Sequence, residues 1–111
     1  MSREQPWSNF NDKVLRLHIL DKKSPLEISE SLGVKYYTVQ SVISRYRVRA
    51  YIKFKGAKSA YKLLEAAVNP KKDYAQVAKE FGVSEILVKN FHEDARVIVA
   101  YIRKFQMDGK I

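Results

Sequence analysis

The chain repeats itself, and that property limits its architecture more than any composition value does. Shifted by 49 positions, the sequence falls into register with its own second half. Asp12-Lys13-Val14-Leu15 meets Tyr61-Lys62-Leu63-Leu64, and Lys22-Lys23 meets Lys71-Lys72. Ile28-Ser29-Glu30-Ser31-Leu32-Gly33-Val34 lies over Val77-Ala78-Lys79-Glu80-Phe81-Gly82-Val83. Val39 meets Val88, and Arg47-Val48 meets Arg96-Val97. One residue later the shift becomes 50, and Ala50-Tyr51-Ile52-Lys53 lies over Ala100-Tyr101-Ile102-Arg103. So many matches in one order imply two copies of a supersecondary unit of about 50 residues. The domain expectation is unit one over residues 1–55 and unit two over residues 56–111.

Each copy reads as three helices. In copy one, Phe10, Val14 and Leu17 share a face at helical spacing, which predicts a helix from about Asn9 to Asp21. Ser24, Pro25 and Glu27 then supply an N-cap, a preferred first helical residue and the third-position carboxylate of a capping box. Ile28 and Leu32 form the buried stripe of this second helix, and Gly33 stops it in a left-handed conformation. A long third helix is expected from about Tyr36, with Val39, Val42, Ile43, Tyr46 and Ala50 facing inward.

Copy two repeats the plan with weaker punctuation. Its first helix is expected over about Lys58 to Val68, ended by Asn69-Pro70, and its second from Tyr74 to Phe81, stopped by Gly82. Ser84 is a good N-cap for a third helix that keeps Val88, Phe91, Ala95, Ile98, Ile102 and Phe105 in phase for about five turns. One segment competes with this all-α class. Arg47 to Lys55 alternates apolar and basic residues with period two, as a strand would. A hairpin needs a turn residue, however, and none occurs before Gly56, so continued helix is the expectation.

Charge supplies the first functional clue. The 111 residues carry a formal +9 with a pI near 9.8, a field that attracts polyanions, nucleic acid foremost. A hydrophobic content of 46% with 30% charged residues suits a folded domain rather than a disordered one. No apolar run approaches the ~20 residues of a membrane span, and Met1 to Gln5 lacks the layout of a signal peptide. The absence of cysteine excludes disulfides and thiolate metal sites. The expected location is the cytoplasm, either nucleoid-associated or that of a host.

The stretch from Ser24 to Arg45 resembles the helix-turn-helix superfamily of DNA-binding proteins. Ile28 and Ser29 carry the likeness in the first motif helix, Leu32-Gly33-Val34 in the turn, and Thr38-Val39 with Val42-Ile43 in the second helix. The family places a small residue where Ser29 stands, because two helices cross closely there, and glycine at Gly33 for the sharp turn. About 22 residues per copy are covered, or about 50 with the supporting first helix. Copy two matches at Val77, Ala78, Phe81, Gly82, Val83 and Val88, and departs at Leu87 and His92, where copy one has Thr38 and Ile43. The fold implied is all-α: two three-helix helix-turn-helix units in tandem, with long third helices. Tandem motifs of this kind are familiar from recombinase-like DNA-binding domains and from phage and mobile-element regulators.

In such units the second motif helix enters the major groove. Opposite the inward face of copy one stand Tyr37, Gln40, Ser41 and Ser44, with Lys35 and Tyr36 at the leading end. Gln40 suits adenine, and the serines suit either kind of base. Tyr36 and Tyr37 could stack on single-stranded bases, but in a motif helix they more often press on the sugar-phosphate wall. Arg45, Arg47, Arg49, Lys53 and Lys55 are the candidate phosphate contacts. From Lys35 to Lys55 there are six basic residues and no acidic one, whereas an ordinary exposed helix mixes signs.

The matching window of copy two, Ser84 to Lys104, has four basic and three acidic residues and nets only +1. Its candidate contact residues are Ser84, Glu85, Ile86, Lys89 and Asn90, with Glu93 and Asp94 set to repel phosphate. Two readings stay open for this unit: weaker DNA contact, or contact with a protein such as a polymerase, recombinase or packaging enzyme. Val48 and Val97 sit at equivalent positions and point away from their own cores, which suggests long helices covered on both sides, by the other copy or by a second chain.

Other chemistries find little footing. His18 and His92 each stand alone on a helix, at its surface or boundary, without a paired ligand or a nucleophile beside them. No cofactor, metal or catalytic role is expected. Trp7, with Pro6, is expected to pack an N-terminal arm on the core. The overall expectation is a sequence-specific double-stranded DNA-binding regulator, monomer or homodimer. The alternatives are a DNA-bound adaptor and an inhibitor of a nucleic-acid enzyme.

Overall fold

The computed structural model describes residues 8–107, so the expectation for Trp7 and Pro6 lies outside the described residues. These residues form seven helices and no strand: α1 (Asn9–Ile19), α2 (Pro25–Leu32), α3 (Tyr36–Lys55), α4 (Ala57–Ala67), α5 (Tyr74–Phe81), α6 (Glu85–Glu93) and α7 (Ala95–Met107). None is long and apolar enough to cross a membrane. The alternating stretch from Arg47 to Lys55 is the second half of α3. Two compact units result, Met1–Arg47 and Val48–Ile111, and the division falls inside α3.

In the first unit, local chemistry sets the helix ends. Ser8 caps α1 by accepting from the Asn11 amide (3.2 Å), and Asp12 pairs with Arg16 one turn on (2.8 Å). Beyond Ile19 the chain leaves the helix. Lys22 takes a left-handed φ of 57°, and His18 Nδ1 donates to the Lys23 carbonyl at 2.9 Å. Ser24 and Glu27 close the expected capping box in both directions, at 3.1 Å and 2.8 Å. Val14, Leu15 and Ile19 of α1, Ile28 of α2, and Val39, Val42 and Ile43 of α3 are buried. Ser29 is buried as well, its hydroxyl donating to the Leu26 carbonyl at 3.1 Å.

Gly33 ends α2 at φ 67°, ψ 34°, and the amides of Gly33 and Val34 both return to the Ser29 carbonyl. A Cβ added at Gly33 would meet nothing within 4 Å. Glycine is needed there for backbone conformation alone, not for space. Gly82 repeats the geometry at φ 65°, ψ 39°, with Gly82 and Val83 returning to Ala78.

The second unit begins with the remainder of α3, where Ala50, Tyr51 and Ile52 are buried in succession. Three successive helical residues span about 200° of the circumference, so this part of α3 is covered on more than one side. Tyr51 meets Phe91 edge to face at 5.7 Å. On α4 the buried residues are Ala57, Ala60, Leu63, Leu64 and Ala67. That alanine-rich face lets α5, α6 and α7 approach closely, and α4 packs against all three. The start of α5 is better defined than its sequence suggested, because Asp73 and Gln76 form a second complete capping box.

One expectation is corrected. Copy two has no single long third helix: α6 ends at Glu93 and α7 starts at Ala95. At Asp94, φ −107° and ψ 28° depart from helical values. The hydrogen-bond ladder nevertheless runs through it, from Asp94 N to Asn90 O and from Ile98 N to Asp94 O, each 2.9 Å. A short carboxylate competes for backbone groups and is a poor interior helix residue. Copy one carries Arg45 at the equivalent position, a good helix former. The apolar phase from Val88 to Phe105 does not register this interruption.

Two predictions follow from the helix ends. Gly33→Ala, forced into the left-handed region, lowers stability by about 1–2 kcal/mol. Gly33→Asn costs less, and urea unfolding of the two variants measures the difference. The Ser24 backbone amide holds the Glu27 carboxyl below the ordinary carboxylate range. Because that folded-state pKa is depressed, its contribution is complete above the unfolded value and is lost as the pH falls through the folded value. Glu27→Gln keeps the hydrogen bond without titrating, so the fall in Tm between neutral and acid pH becomes shallower.

Candidate nucleic-acid interface

α3 turns its buried residues, Val39, Val42 and Ile43, to one side and leaves Tyr37, Ser41 and Ser44 on the opposite face. Thr38 and Gln40 flank that face on its two edges. Lys35, Tyr36, Tyr37, Thr38, Ser41 and Ser44 are exposed, and Gln40 is half-buried. Tyr37 is 76% exposed, an unusual state for so large a ring. Among the described residues, no internal hydrogen bond engages the side chains of Gln40, Ser41 or Ser44. The six candidate base-reading residues therefore stand on one turn-and-helix segment of the first unit, with their polar groups available.

The five candidate phosphate contacts divide. Arg45 in the first unit is exposed, as are Lys53 and Lys55 in the second. Arg47 is half-buried with its Nε shielded from solvent, and desolvation lowers its guanidinium pKa from the ordinary value. Arg49 is engaged inside the second unit. Its Nε donates to the Tyr101 hydroxyl, and its guanidinium lies over the Tyr101 ring, 5.0 Å from the centroid. The two partners are 52 residues apart in the chain. The repeat marks Tyr101 only as the counterpart of Tyr51 and carries no sign of this contact.

Copy two shows how a repeat can keep its plan and change its surface. Leu87 is buried where Thr38 is exposed, and His92 is exposed where Ile43 is buried. These two departures from the first copy belong together. α3 buries Val39, Val42 and Ile43, whereas α6 buries Leu87, Val88 and Phe91. At 100° per residue, the buried face of α6 is turned by roughly 50° about its axis relative to that of α3. His92, now outside, is hydrogen-bonded through Nδ1 to the Tyr74 hydroxyl at 2.8 Å.

The rotation alters what α6 offers. Ser84 caps the helix, accepting from the Leu87 amide at 3.2 Å. Glu85, Ile86 and Lys89 are exposed, but Asn90 is half-buried and engaged within the protein. Glu93 and Asp94 are exposed as well. The paired valines also part: Val48 is half-buried, and Val97 is 60% exposed, so the described residues leave that side of α7 open.

The opposite environments of Thr38 and Leu87 predict opposite sensitivities. Leu87→Ala destabilises the second unit by about 2–5 kcal/mol, while Thr38→Ala stays within about 0.5 kcal/mol, as denaturant titration of each variant will show. No family model, curated protein or solved structure matches the chain.

Proposed function

We propose that the chain is a sequence-specific double-stranded DNA-binding protein of the helix-turn-helix kind, acting in transcription regulation. One observation carries this reading. The first half of α3 is a solvent-facing surface with exposed hydrogen-bonding side chains, in a window of six basic residues and no acidic one. A positive window attracts the phosphate backbone, and unengaged neutral groups between cations suit base edges. Tyr36, Tyr37, Gln40, Ser41 and Ser44 face the bases in this reading, and Lys35, at the leading end before α3, meets the backbone. Arg45, Lys53 and Lys55 meet phosphates, while Arg47, half-buried, and Arg49, held on Tyr101, contribute charge without direct contact. The likeness to phage and mobile-element regulators makes such an element the proposed setting.

For the second unit the adaptor reading is favoured, on the observation that Glu85 and Glu93 of α6 and its C-cap Asp94 are exposed. Those carboxylates repel a phosphate backbone and suit a basic protein surface. Its partner class is a protein that acts on the same DNA, such as a polymerase, recombinase or packaging enzyme.

Binding measured on a selected duplex over a range of salt tests both halves. Gln40→Ala relaxes preference at one base pair, because a bidentate contact is worth about 1–3 kcal/mol of discrimination. Arg45→Ala weakens all sequences alike and reduces the salt slope by about 0.9. A footprint of about 10 base pairs per monomer fits one reading unit, and about 20 fits two. Failure to bind any duplex at low ionic strength removes the proposal.

A further inference from the structure

We infer that the exposed face of α3 reads A·T base pairs through the major groove, Gln40 bonding adenine while Thr38 and Tyr37 pack on thymine methyl groups. This rests on the duplex-binding reading above and adds which bases are recognised. It follows from what the face contains and what it lacks. In the major groove guanine presents two acceptors, met best by Arg or Lys, and cytosine presents an amine, met by a carboxylate. From Tyr36 to Ser44 there is no Arg, Lys, Asp or Glu at all. The groups that discriminate G·C are missing from the whole span that faces outward.

What remains matches the other base pair. The Gln40 amide carries a donor and an acceptor side by side, complementary to adenine N7 and N6. No internal hydrogen bond engages that amide among the described residues. Thymine alone presents an apolar group in the major groove, its 5-methyl. Thr38 is exposed with a methyl of its own, and the Tyr37 ring is 76% exposed, so both hold apolar surface in water. Contact with a thymine methyl would desolvate it. Ser41 and Ser44 bond to either kind of base and add no bias. Charge resumes only at the ends, with Lys35 and Arg45 ten residues apart. At 1.5 Å per residue the neutral span between them covers roughly 15 Å, so cations meet backbone while the middle meets bases.

The test uses fluorescent 20-base-pair duplexes of scrambled A·T-only and G·C-only sequence. The A·T duplex is also made with deoxyuridine for thymidine, or with 7-deazaadenine for adenine. The full chain is expected to prefer A·T over G·C by about tenfold or more. Deoxyuridine should weaken the wild type several-fold and leave the Thr38→Ser, Tyr37→Ala double variant unmoved. The 7-deaza duplex should weaken the wild type as much as Gln40→Ala does, with no further loss when the two are combined. Circular dichroism of each variant controls for folding. Equal, salt-sensitive binding to both compositions overturns the inference and leaves duplex binding standing. An A·T preference indifferent to both base analogues also overturns it, because the sequence is then read through shape or the minor groove. No binding to any duplex at low salt takes down the functional reading itself.

Discussion

α2 has only eight residues, too few for a helix to persist in water unaided. Its ends are therefore held by specific chemistry, with the Ser24–Glu27 box at one and the left-handed Gly33 at the other. Between them Ser29 is small enough to be buried against its neighbours. The direction in which α3 leaves depends on this short, doubly anchored segment. With Val39, Val42 and Ile43 then drawn inward, Tyr37, Ser41 and Ser44 are obliged to face water. The candidate interface is a by-product of how α2 stops.

The second copy keeps the same anchors in altered form. Asp73 and Gln76 replace Ser24 and Glu27, Ala78 replaces Ser29, and Gly82 replaces Gly33. Its divergence lies in the next helix, where exchange of an exposed Thr for a buried Leu accompanies exchange of a buried Ile for an exposed His. Each change alone would bury a polar group or expose an apolar one. Together they amount to a rotation of the helix, and the outward residues change as a set. Asp94 then divides what is continuous in copy one. A repeated unit can in this way keep its core and present a different surface.

Arg49 adds a further point about basic stretches. Six cations along one segment suggest one uniform electropositive edge, yet the side chains meet different fates. Arg45 reaches solvent, Arg47 is half covered, and Arg49 stacks on Tyr101. Long cationic side chains cover apolar and aromatic surface as well as bind anions. Formal charge fixes the sign of the field but not which cations can touch a ligand.

The amino-acid sequence by itself determined the helix count and phase of the first unit, the starts at Ser24 and Ser84, and the stops at Gly33 and Gly82. These are local matters: caps and left-handed glycines act within a few residues. It also placed Tyr37, Ser41 and Ser44 opposite the apolar face, because helical periodicity needs no partner to be read. Tertiary structure alone decided the rest. The burial of Ala50, Tyr51 and Ile52 in succession, the Arg49–Tyr101 pairing and the turned face of α6 all depend on residues distant in the chain. The break at Asp94 lay between the two, visible as a poor helix residue but outweighed by an apolar phase that runs straight through it. Periodicity records which side of a helix is apolar, and only packing settles how many sides are covered.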